Sequence, residues 1–388
     1  MYIERDVEEL FDKINAIYNV VAIVGARQAG KTTLLKKKLD EYGGNYVSLD
    51  DPDARELFNV DIKKFEKQYV EGNKITGIDE VQYGKDAGIK LKYLADKGYK
   101  IWVTSSSEII LGKNVLSYLV GRVSILKLFP FSIKEFLRAR DVKVLTEKIK
   151  ERVVWEHANY GGYPKVVLTD DVELKKTILK DLLETMLLKD VSKTFSIDDI
   201  YALEKLTKYL AVNMGAIISY ENITSLLGVS FQTLKKYLDA MEKSYIIKRV
   251  TPFYTNKTKE LTKKPKVYFI DTGLRNTVVK NYDVDIEGKV FENYVLTELL
   301  KKDLVVKYWR TKSKAEVDFV VEDGDSLIPI EVKTTAVFKV SRSLRSFINT
   351  YNPKQAFVVF YKGNEKEIMV NNCRVKFVDI FGLLDEIS

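Results

Sequence analysis

The chain has 388 residues, of which 46% are hydrophobic and 30% are charged, and its formal net charge is +8. This apolar fraction excludes wholesale disorder, and the length predicts about two to four domains. With one cysteine and one histidine, the sequence excludes intramolecular disulfides and zinc fingers and disfavours histidine-based catalysis. The N-terminus is too charged for a signal peptide, and no apolar run approaches the roughly 18–20 residues that span a bilayer. We therefore expect a cytoplasmic protein without membrane contact.

The first third of the chain alternates strand-like and helix-like segments. An apolar β-branched run at 20–24 is followed by a glycine turn and a helical stretch at 32–42. Further strands are predicted at 46–49, 75–78, 101–104 and 123–128. Strands that alternate with helices predict a parallel sheet covered on both faces, and hence the α/β class.

A phosphate-binding motif follows the first predicted strand. Residues 25–32, GARQAGKT, fit the pattern GxxxxGK[ST] between a strand and a helix, which is the context that the motif requires. The glycines let backbone N–H groups face the phosphates, and the dipole of the following helix adds to the attraction. We expect Lys31 to reach the β- and γ-phosphates and the Thr32 hydroxyl to ligate Mg²⁺. The predicted nucleotide contacts are Gly25, Ala26, Arg27, Gln28, Ala29, Gly30, Lys31, Thr32 and Thr33.

The sequence ITGIDE at 75–80 supplies the acidic half of this site. A mostly apolar strand, weakened by Gly77, ends in two adjacent carboxylates. Asp79 is placed to hold Mg²⁺ through water, and Glu80 is the better candidate to polarise the attacking water. A glutamate at this position favours true hydrolysis over a slow switch.

Two further parts of the site stay open at this stage. The next strand ends in Thr104, Ser105 and Ser106, one of which is expected between the acidic pair and the γ-phosphate. Arg122 precedes the strand at 123–128 and is a candidate to meet the γ-phosphate of its own or a neighbouring subunit. A structural salt bridge is an equal alternative for Arg122.

Together these motifs resemble the AAA-type ATPases of archaea and bacteria. The resemblance rests on GARQAGKTTLL, IDEVQ, the serine-rich strand end and VGR, and more specifically on FPFSIKEF at 129–136 and YGGYP at 160–164. It covers nearly the whole chain and implies ATP as the nucleotide, in agreement with the lack of a guanine-binding NKxD motif. It also implies an uncharacterised C-terminal domain, and it leaves the biological role undefined.

The middle of the chain is strongly basic. The sequence predicts a helix at 219–227, a turn at 228–230, a helix at 231–243 and two strands, at 245–250 and 266–270, with a basic wing at 257–264 between the strands. This order predicts a winged helix. Clustered positive charge is typical of a surface that binds a polyanion, and it predicts salt-sensitive phosphate contacts with little base specificity. The predicted contacts are Lys235, Lys236, Tyr237, Lys257, Lys259, Lys263 and Lys264. The alternatives are protein contacts or service as the lid of the ATPase.

The last hundred residues carry a second group of carboxylates. Two predicted strands flank an Asp-Gly turn, and their pairing would set Asp318 beside Glu331, with Lys333 on the face of Glu331. With Glu292 on a predicted helix, the pattern Glu…Asp…Glu-x-Lys resembles the core of PD-(D/E)xK nucleases, although valine replaces the usual proline. The resemblance implies Mg²⁺ ligands at Glu292, Asp318 and Glu331 and a catalytic Lys333. The alternative is a set of structural ion pairs, Glu331 with Lys333 and Glu292 with Arg310.

The predictions divide the chain into four parts. These are a P-loop AAA-type ATPase core over 1–150, a helical extension over 151–215, a winged helix over 216–280 and a mixed α/β restriction-endonuclease-like domain over 281–388. Three functions stay open: an ATPase that couples hydrolysis to nucleic acid, with DNA favoured; an ATP-controlled signalling or conflict-response switch that acts on proteins; and an ATP-gated, Mg²⁺-dependent DNA nuclease. The oligomeric state is open, and His157 and Cys373 are expected to be structural.

Overall fold

The computed structural model describes residues 2–106, 118–119, 121–324 and 326–387, with the side chains of Lys257, Lys259 and Leu261 outside this description. Its first sheet has five parallel strands in the order β2-β3-β4-β1-β5. The strands are β1 Val20–Gly25, β2 Asn45–Ser48, β3 Thr76–Asp79, β4 Ile101–Ser105 and β5 Val123–Leu128. The helices around them are α1 Glu8–Ile17, α2 Lys31–Tyr42, α3 Pro52–Val60, α4 Ile62–Phe65 and α5 Ala87–Asp96.

This sheet confirms the predicted α/β class. All six residues of β1 are buried, because the strand lies inside the sheet and helices cover its faces. In parallel strands the carboxyl ends meet at one edge, so the loop after β1 and the acidic end of β3 lie on the same side. Strand β4 lies between them and brings its own polar end to that edge.

The next part of the chain is mainly helical. Its helices are α6 Ile133–Ala139, α7 Glu147–Tyr160, α8 Pro164–Val167, α9 Val172–Thr185, α10 Ile200–Val212, α11 Tyr220–Leu227, α12 Phe231–Lys243, α13 Lys257–Thr262 and α14 Thr272–Val279. A π-helical segment, Met186–Lys193, continues α9. Two antiparallel strands, β6 Ile247–Val250 and β7 Lys266–Phe269, follow α12.

The turn between α11 and α12 forms as its residues dictate. Gly228 ends α11 in the left-handed conformation, at φ 69°, which glycine adopts without strain. The Ser230 hydroxyl then accepts a hydrogen bond from the Thr233 N–H at 3.1 Å and begins α12. The connection between β6 and β7 differs from the predicted basic wing, because it contains the short helix α13. The Asn256 side chain accepts from the Thr258 N–H at 3.0 Å at the start of this helix.

The C-terminal part forms a mixed sheet of six strands in the order β12-β13-β11-β10-β9-β8. Its strands are β8 Val306–Arg310, β9 Glu316–Asp323, β10 Ser326–Thr335, β11 Gln355–Lys362, β12 Lys366–Val370 and β13 Cys373–Val378. Its helices are α15 Gly288–Lys301, α16 Arg342–Tyr351 and α17 Ile380–Glu386. Strand β9 is antiparallel to β8 and β10, and β10 is parallel to β11.

The three parts pack against one another through buried groups. One cluster of buried apolar side chains extends from the first sheet through the helical part to α15 and β11. At its centre, the two ring nitrogens of His157 contact the Phe131 carbonyl at 3.0 Å and the Tyr294 hydroxyl at 3.1 Å. The Ile133 N–H donates to Glu298 at 2.9 Å. The segment at 129–136 therefore lies at the junction of the three parts, and the Phe131 N–H joins it to the segment at 160–164 by donating to the Gly162 carbonyl at 2.7 Å.

Across the described ranges, the helices are too short or too polar to cross a lipid bilayer.

Candidate active site

The loop between β1 and α2 has a backbone that only glycine permits at two positions. A Cβ on Gly25 would lie 1.9 Å from the Leu128 carbonyl oxygen, and Gly30 has φ 99°. Gly30 also precedes α2 and makes no side-chain cap, so the first N–H groups of α2 are left for another acceptor. The predicted loop, from Gly25 to Thr33, thus has the form of an anion cradle at a helix N-terminus.

Lys31 lies inside this loop. Its side chain is buried, and its Nζ donates to the Gly25 carbonyl at 3.1 Å and the Ala26 carbonyl at 2.9 Å. Burial lowers the pKa of Lys31, and the negative charge of Glu80 opposes that shift. The ammonium group is therefore held at the loop, where a phosphate would replace carbonyl oxygens as its partner.

Asp79, the last residue of β3, accepts hydrogen bonds from three hydroxyl groups. Thr32 donates to its two oxygens at 3.0 and 2.9 Å, Tyr46 donates at 2.9 Å, and Thr104 donates to Oδ1. Hydroxyl and carboxylate oxygens are the ligands that Mg²⁺ prefers. Thr32 and Asp79 therefore lie together as predicted and fit a magnesium site.

Glu80 follows β3 in the left-handed conformation, at φ 56°, which is strained for a residue with a side chain. Its N–H donates to the Thr104 hydroxyl at 2.9 Å, and its carboxylate accepts from Gln82, which also donates to Ser106 at 3.0 Å. Burial raises the pKa of Glu80. The sequence left open which of Thr104, Ser105 and Ser106 lies next to the acidic pair. In the structure the Thr104 hydroxyl contacts both Asp79 and Glu80, and the Ser106 hydroxyl accepts a hydrogen bond from Gln82.

Gln82 and Tyr46 are site residues to which the sequence analysis assigned no role. Tyr46 lies in a predicted strand and Gln82 in the motif IDEVQ, and their contacts with the two acids form only when the strands assemble into the sheet. The buried Oε1 of Gln82 has no hydrogen-bond partner among the described residues. A buried carbonyl in this state is a position for a water molecule or a ligand.

Arg27 of the loop makes a bidentate ion pair outside the first sheet. Its Nε and an Nη donate to the two oxygens of Asp190 at 2.8 and 2.7 Å. Asp190 lies in the π-helical segment at 186–193, and its carbonyl accepts from the Ser244 hydroxyl at 2.9 Å, directly after α12. Because 163 residues separate Arg27 from Asp190, no local sequence pattern predicts the pair.

Arg5 is another missed residue, and it fixes the other side of the loop. It donates to the Ala29 carbonyl at 2.8 Å, to the Phe129 carbonyl at 2.7 Å and to Glu135 at 2.9 Å. The guanidinium group is buried, where charge-assisted bonds are strong. Arg5 thus joins the phosphate loop to the segment at 129–136.

The structure corrects the prediction that Arg122 meets the γ-phosphate of its own subunit. Its carbonyl accepts from the Val20 N–H at 3.0 Å, at the amino end of β1. At about 3.3 Å per strand residue, that end lies roughly 16 Å from the phosphate loop. The side chain forms an ion pair with Asp96 at 2.7 Å, in line with the structural alternative. Action on a neighbouring subunit stays a prediction.

The predicted nucleic-acid contacts divide into three groups. Tyr237 is buried in the core of the helical part, so its predicted phosphate contact is wrong. The exposed side chains are Lys235, Lys236, Lys263 and Lys264; of these, Lys236 donates to the Ser196 carbonyl at 2.7 Å and Lys264 pairs with Glu221 at 2.8 Å. Lys257 and Lys259 have side chains outside the described residues.

The C-terminal acids form an acidic centre, which we define as Glu292, Glu316, Asp318 and Glu331. Strands β9 and β10 pair as predicted, with Phe319 opposite Ile330, so Asp318 and Glu331 lie next in register. Asp318 accepts from the Val332 N–H at 2.9 Å, and its pKa is raised to about 6 by burial and by the charge of Glu292.

The acidic centre does not assemble the predicted metal site. The described residues include no group of three or more His, Cys, Asp or Glu side chains that could hold a metal ion. Glu292 instead accepts from Tyr268 at 2.5 Å and pairs with Lys289 at 2.6 Å, and Glu331 pairs with Lys333 at 2.8 Å. The metal-ligand roles of Glu292, Asp318 and Glu331 and the catalytic role of Lys333 therefore gain no support. Side chains occupy the carboxylates of Glu292 and Glu331, and Asp318 accepts from a backbone N–H.

Comparison with known families gives three consecutive matches. Residues 18–137 match the family described as an AAA domain. Residues 151–285 and 287–379 match two domains of unknown function, DUF8612 and DUF4143. The predicted division of the chain into four parts stays a prediction.

Relatives of similar length occur in bacteria and archaea. An uncharacterised protein of Haemophilus influenzae is 24% identical, over 94% of this chain and 92% of its own. An uncharacterised protein of Methanocaldococcus jannaschii is 27% identical, over 82% of this chain and 75% of its own. Among solved structures, a Walker-type ATPase of Pyrococcus abyssi is 15% identical with a TM-score of 0.48, over 72% of this chain and 96% of its own.

The match to the AAA domain agrees with the phosphate loop and the acidic pair found in the first sheet. The chain therefore matches an AAA domain over residues 18–137, on a parallel sheet that resembles P-loop ATPases, and the two matched domains of unknown function follow it.

Proposed function

We propose that this chain is a Mg²⁺-dependent ATPase that couples ATP hydrolysis to nucleic-acid binding by its middle unit, which we define as residues 216–280. The ATPase half rests on the phosphate loop and the acidic pair. The coupling half rests on one observation, the contact of Arg27 in the phosphate loop with Asp190 of the helical part.

The loop residues bind and orient the triphosphate. N–H groups of the loop and of the first turn of α2 donate to phosphate oxygens, and Lys31 turns its ammonium from the loop carbonyls to the β- and γ-phosphates. Thr32 and Asp79 hold Mg²⁺, the metal of this site. When bound, that ion neutralises charge that develops on the phosphates during transfer. Tyr46 and Thr104 keep the Asp79 carboxylate in place.

Glu80 orients the attacking water and accepts its proton. The strained backbone of Glu80 directs its carboxylate toward Gln82 at the carboxyl edge of the sheet. The Oε1 of Gln82, which is buried and has no hydrogen-bond partner among the residues that the structure describes, is a second acceptor for that water. Two acceptors fix both hydrogens of a water molecule, and this orientation is what phosphoryl transfer requires of the protein.

The contact between Arg27 and Asp190 links this chemistry to the middle unit. A γ-phosphate in the loop competes for the Arg27 guanidinium, because phosphate and carboxylate are both bidentate partners of arginine. Release of Asp190 alters the π-helical segment, whose carbonyl at Asp190 holds Ser244 at the end of α12. A change of the bound nucleotide thereby alters the contact at the end of α12, the second helix of the helix-turn-helix.

We infer a winged helix for the middle unit, and this fold supports nucleic acid as its partner. Helices α11 and α12 are joined by the turn at Gly228, and β6 and β7 follow as an antiparallel pair. A third strand-like bridge joins Ile217 to Lys266. The exposed lysines Lys235 and Lys263 give this unit a positive surface for phosphate oxygens.

The test is the ATPase rate with and without duplex DNA over a series of salt concentrations. We expect DNA to raise the rate at low salt and the stimulation to fall steeply as salt rises, because phosphate contacts release counterions. Replacing both Lys235 and Lys263 by glutamine should reduce the stimulation. Lys148→Gln, which changes an exposed lysine on α7, is the matched control and should retain it.

A second candidate is an ATP-controlled switch that acts on protein partners. It is favoured by the neutralisation of part of the basic cluster: Arg249 pairs with Glu242 at 2.5 Å and Asp239 at 2.6 Å, and Lys264 pairs with Glu221. An ATPase rate that does not respond to DNA at any salt concentration would support this switch over the proposed function. The third function, a nuclease, finds no support at the acidic centre.

A further inference from the structure

The backbone of Lys266 lies in the middle unit, whereas its side chain contacts residues of the C-terminal sheet and α15. It is the first residue of β7, in the middle unit, and pairs there with Val250. Its side chain is 1% exposed, and its Nζ lies 2.6 Å from a Glu316 oxygen and 3.4 Å from a Glu292 oxygen. A buried ammonium from the middle unit therefore lies within the acidic centre of the C-terminal sheet.

Three carboxylates of the acidic centre have further side-chain partners, and Asp318 accepts from the Val332 N–H. Glu292 has a second cation, Lys289, at 2.6 Å, and Glu316 has Arg310 at 3.3 Å. Glu331 is held by Lys333 at 2.8 Å and by the Ser341 hydroxyl at 2.7 Å. Lysine and arginine donate but cannot ligate a metal, and their charge repels a divalent cation.

We propose that the ammonium of Lys266 is the resident cation of the acidic centre, and that it excludes divalent metal there and joins the middle unit to the C-terminal sheet. Four acids brought together in a fold need a counter-charge, and a lysine or a metal can supply it. Here the lysine has the buried central position. The acidic centre is on this account a contact between two parts of the chain and does not cleave nucleic acid.

Backbone contacts beside Lys266 make the same junction. The Phe253 N–H donates to the Tyr308 carbonyl at 2.6 Å, and the Tyr308 N–H donates to the Thr251 carbonyl at 3.1 Å. The Tyr308 hydroxyl donates to the Lys264 carbonyl at 2.8 Å. The chain after β6 thus runs beside β8, so a metal could replace the Lys266 ammonium only if this junction opened.

The test counts Mn²⁺ ions bound to the full chain without nucleotide, by electron paramagnetic resonance. Wild type and Asp318→Asn should bind the same number, since any ion at the phosphate loop is common to both. Lys266→Ala should gain an ion that wild type lacks, and Lys266→Arg, which keeps the charge, should not. This inference does not depend on the proposed ATPase, because no arm of the experiment measures hydrolysis.

Two results would overturn the proposal. One is an ion that wild type binds and Asp318→Asn loses, which would mean that the acidic centre is a metal site despite Lys266. The other is a folded Lys266→Ala chain that gains no ion. If Lys266→Ala does not fold, the comparison of wild type with Asp318→Asn still decides whether the centre excludes metal.

Discussion

Burial makes the charged forms of two residues in the phosphate site, Lys31 and Glu80, energetically unfavourable. Burial lowers the pKa of Lys31 and raises the pKa of Glu80, so desolvation favours the neutral form of each. Their mutual attraction opposes both shifts. A bound triphosphate adds negative charge next to Lys31 and so stabilises its ammonium form, whereas Glu80 must lose its proton to accept one from water.

Lys31→Ala removes the ammonium from the loop. We expect ATP turnover to be lost, because the Lys31 ammonium is the group that reaches the β- and γ-phosphates in this motif. The measurement is phosphate release under steady-state conditions, with Lys36→Ala, on the same helix, as the control. Hydrolysis that survives Lys31→Ala unchanged would show that the phosphate assignment is wrong.

Glu80→Gln tests the role of the second acid separately from binding. The substitution keeps the size of the side chain and removes the base, so hydrolysis should fall by about 10²–10⁴-fold. The affinity for ATP, measured by equilibrium titration, should remain, because Glu80 is not among the groups that hold the phosphates. A variant that hydrolyses ATP at the wild-type rate would assign the water to another residue.

The individual site residues also show which roles a local sequence pattern can predict and which it cannot. The loop from Gly25 to Thr33 and the pair of acids were predictable because each is a local pattern with a required context. Arg5, Gln82 and Asp190 were not, because long-range contacts rather than neighbours in the chain give them their roles. Tyr237 was misassigned because an aromatic residue on a basic helix fits both a core and a nucleic-acid surface.

At the scale of elements, the π-helical segment at 186–193 connects the phosphate loop to the middle unit. Its Asp190 contacts the phosphate loop with its carboxylate and Ser244 with its carbonyl. Segments with π geometry are rare and frequently occur at functional sites. A change at Arg27 can therefore be passed through this segment to the residue that follows α12.

Asp190→Asn should uncouple the two sites. The amide accepts fewer and weaker bonds from Arg27, so the ratio of ATPase rates with and without DNA should fall toward one. Asp181→Asn, which changes an exposed acid on the preceding helix α9, is the control and should keep the wild-type ratio. If the Asp190→Asn chain keeps the wild-type ratio of ATPase rates with and without DNA, the contact between Arg27 and Asp190 does not couple the two sites.

Elements were predicted best where their pattern and their surroundings agree. The strands of the first sheet appear close to their predicted bounds, and β9 and β10 form the predicted hairpin. The basic wing was predicted as loop and contains α13, because lysine, threonine and glutamate after a capping asparagine form a helix as readily as a loop. The acidic centre shows the same limit, since the sequence cannot reveal that Lys266 of another element supplies its cation.

At the scale of the whole molecule, the three parts meet around His157. The imidazole is buried, and its two nitrogens bond to the Phe131 carbonyl and the Tyr294 hydroxyl, which belong to the first and last parts. Burial and the positive charge of Lys301 lower the pKa of His157 well below its ordinary value. The junction therefore requires a neutral histidine.

This requirement predicts a loss of stability in acid. The unfolded chain binds a proton at His157 near pH 6.5 and the folded chain does not, so stability falls as the pH drops below about 6.5, by about 1.4 kcal/mol per pH unit. His157→Gln should flatten this part of the dependence in thermal or denaturant melts. As the chain has one histidine, its NMR signal is unambiguous, and titration near pH 6.5 in the folded protein would contradict the prediction.

The central claim is that the phosphate loop controls the middle unit, and the affinity for DNA in different nucleotide states tests it most directly. The measurement is the dissociation constant for duplex DNA, at one salt concentration, of the Glu80→Gln chain with ATP, with ADP and without nucleotide. The account predicts that the constants with ATP and ADP differ by about 5–150-fold, the usual range of coupling between two sites. Equal affinity in all three states would contradict it.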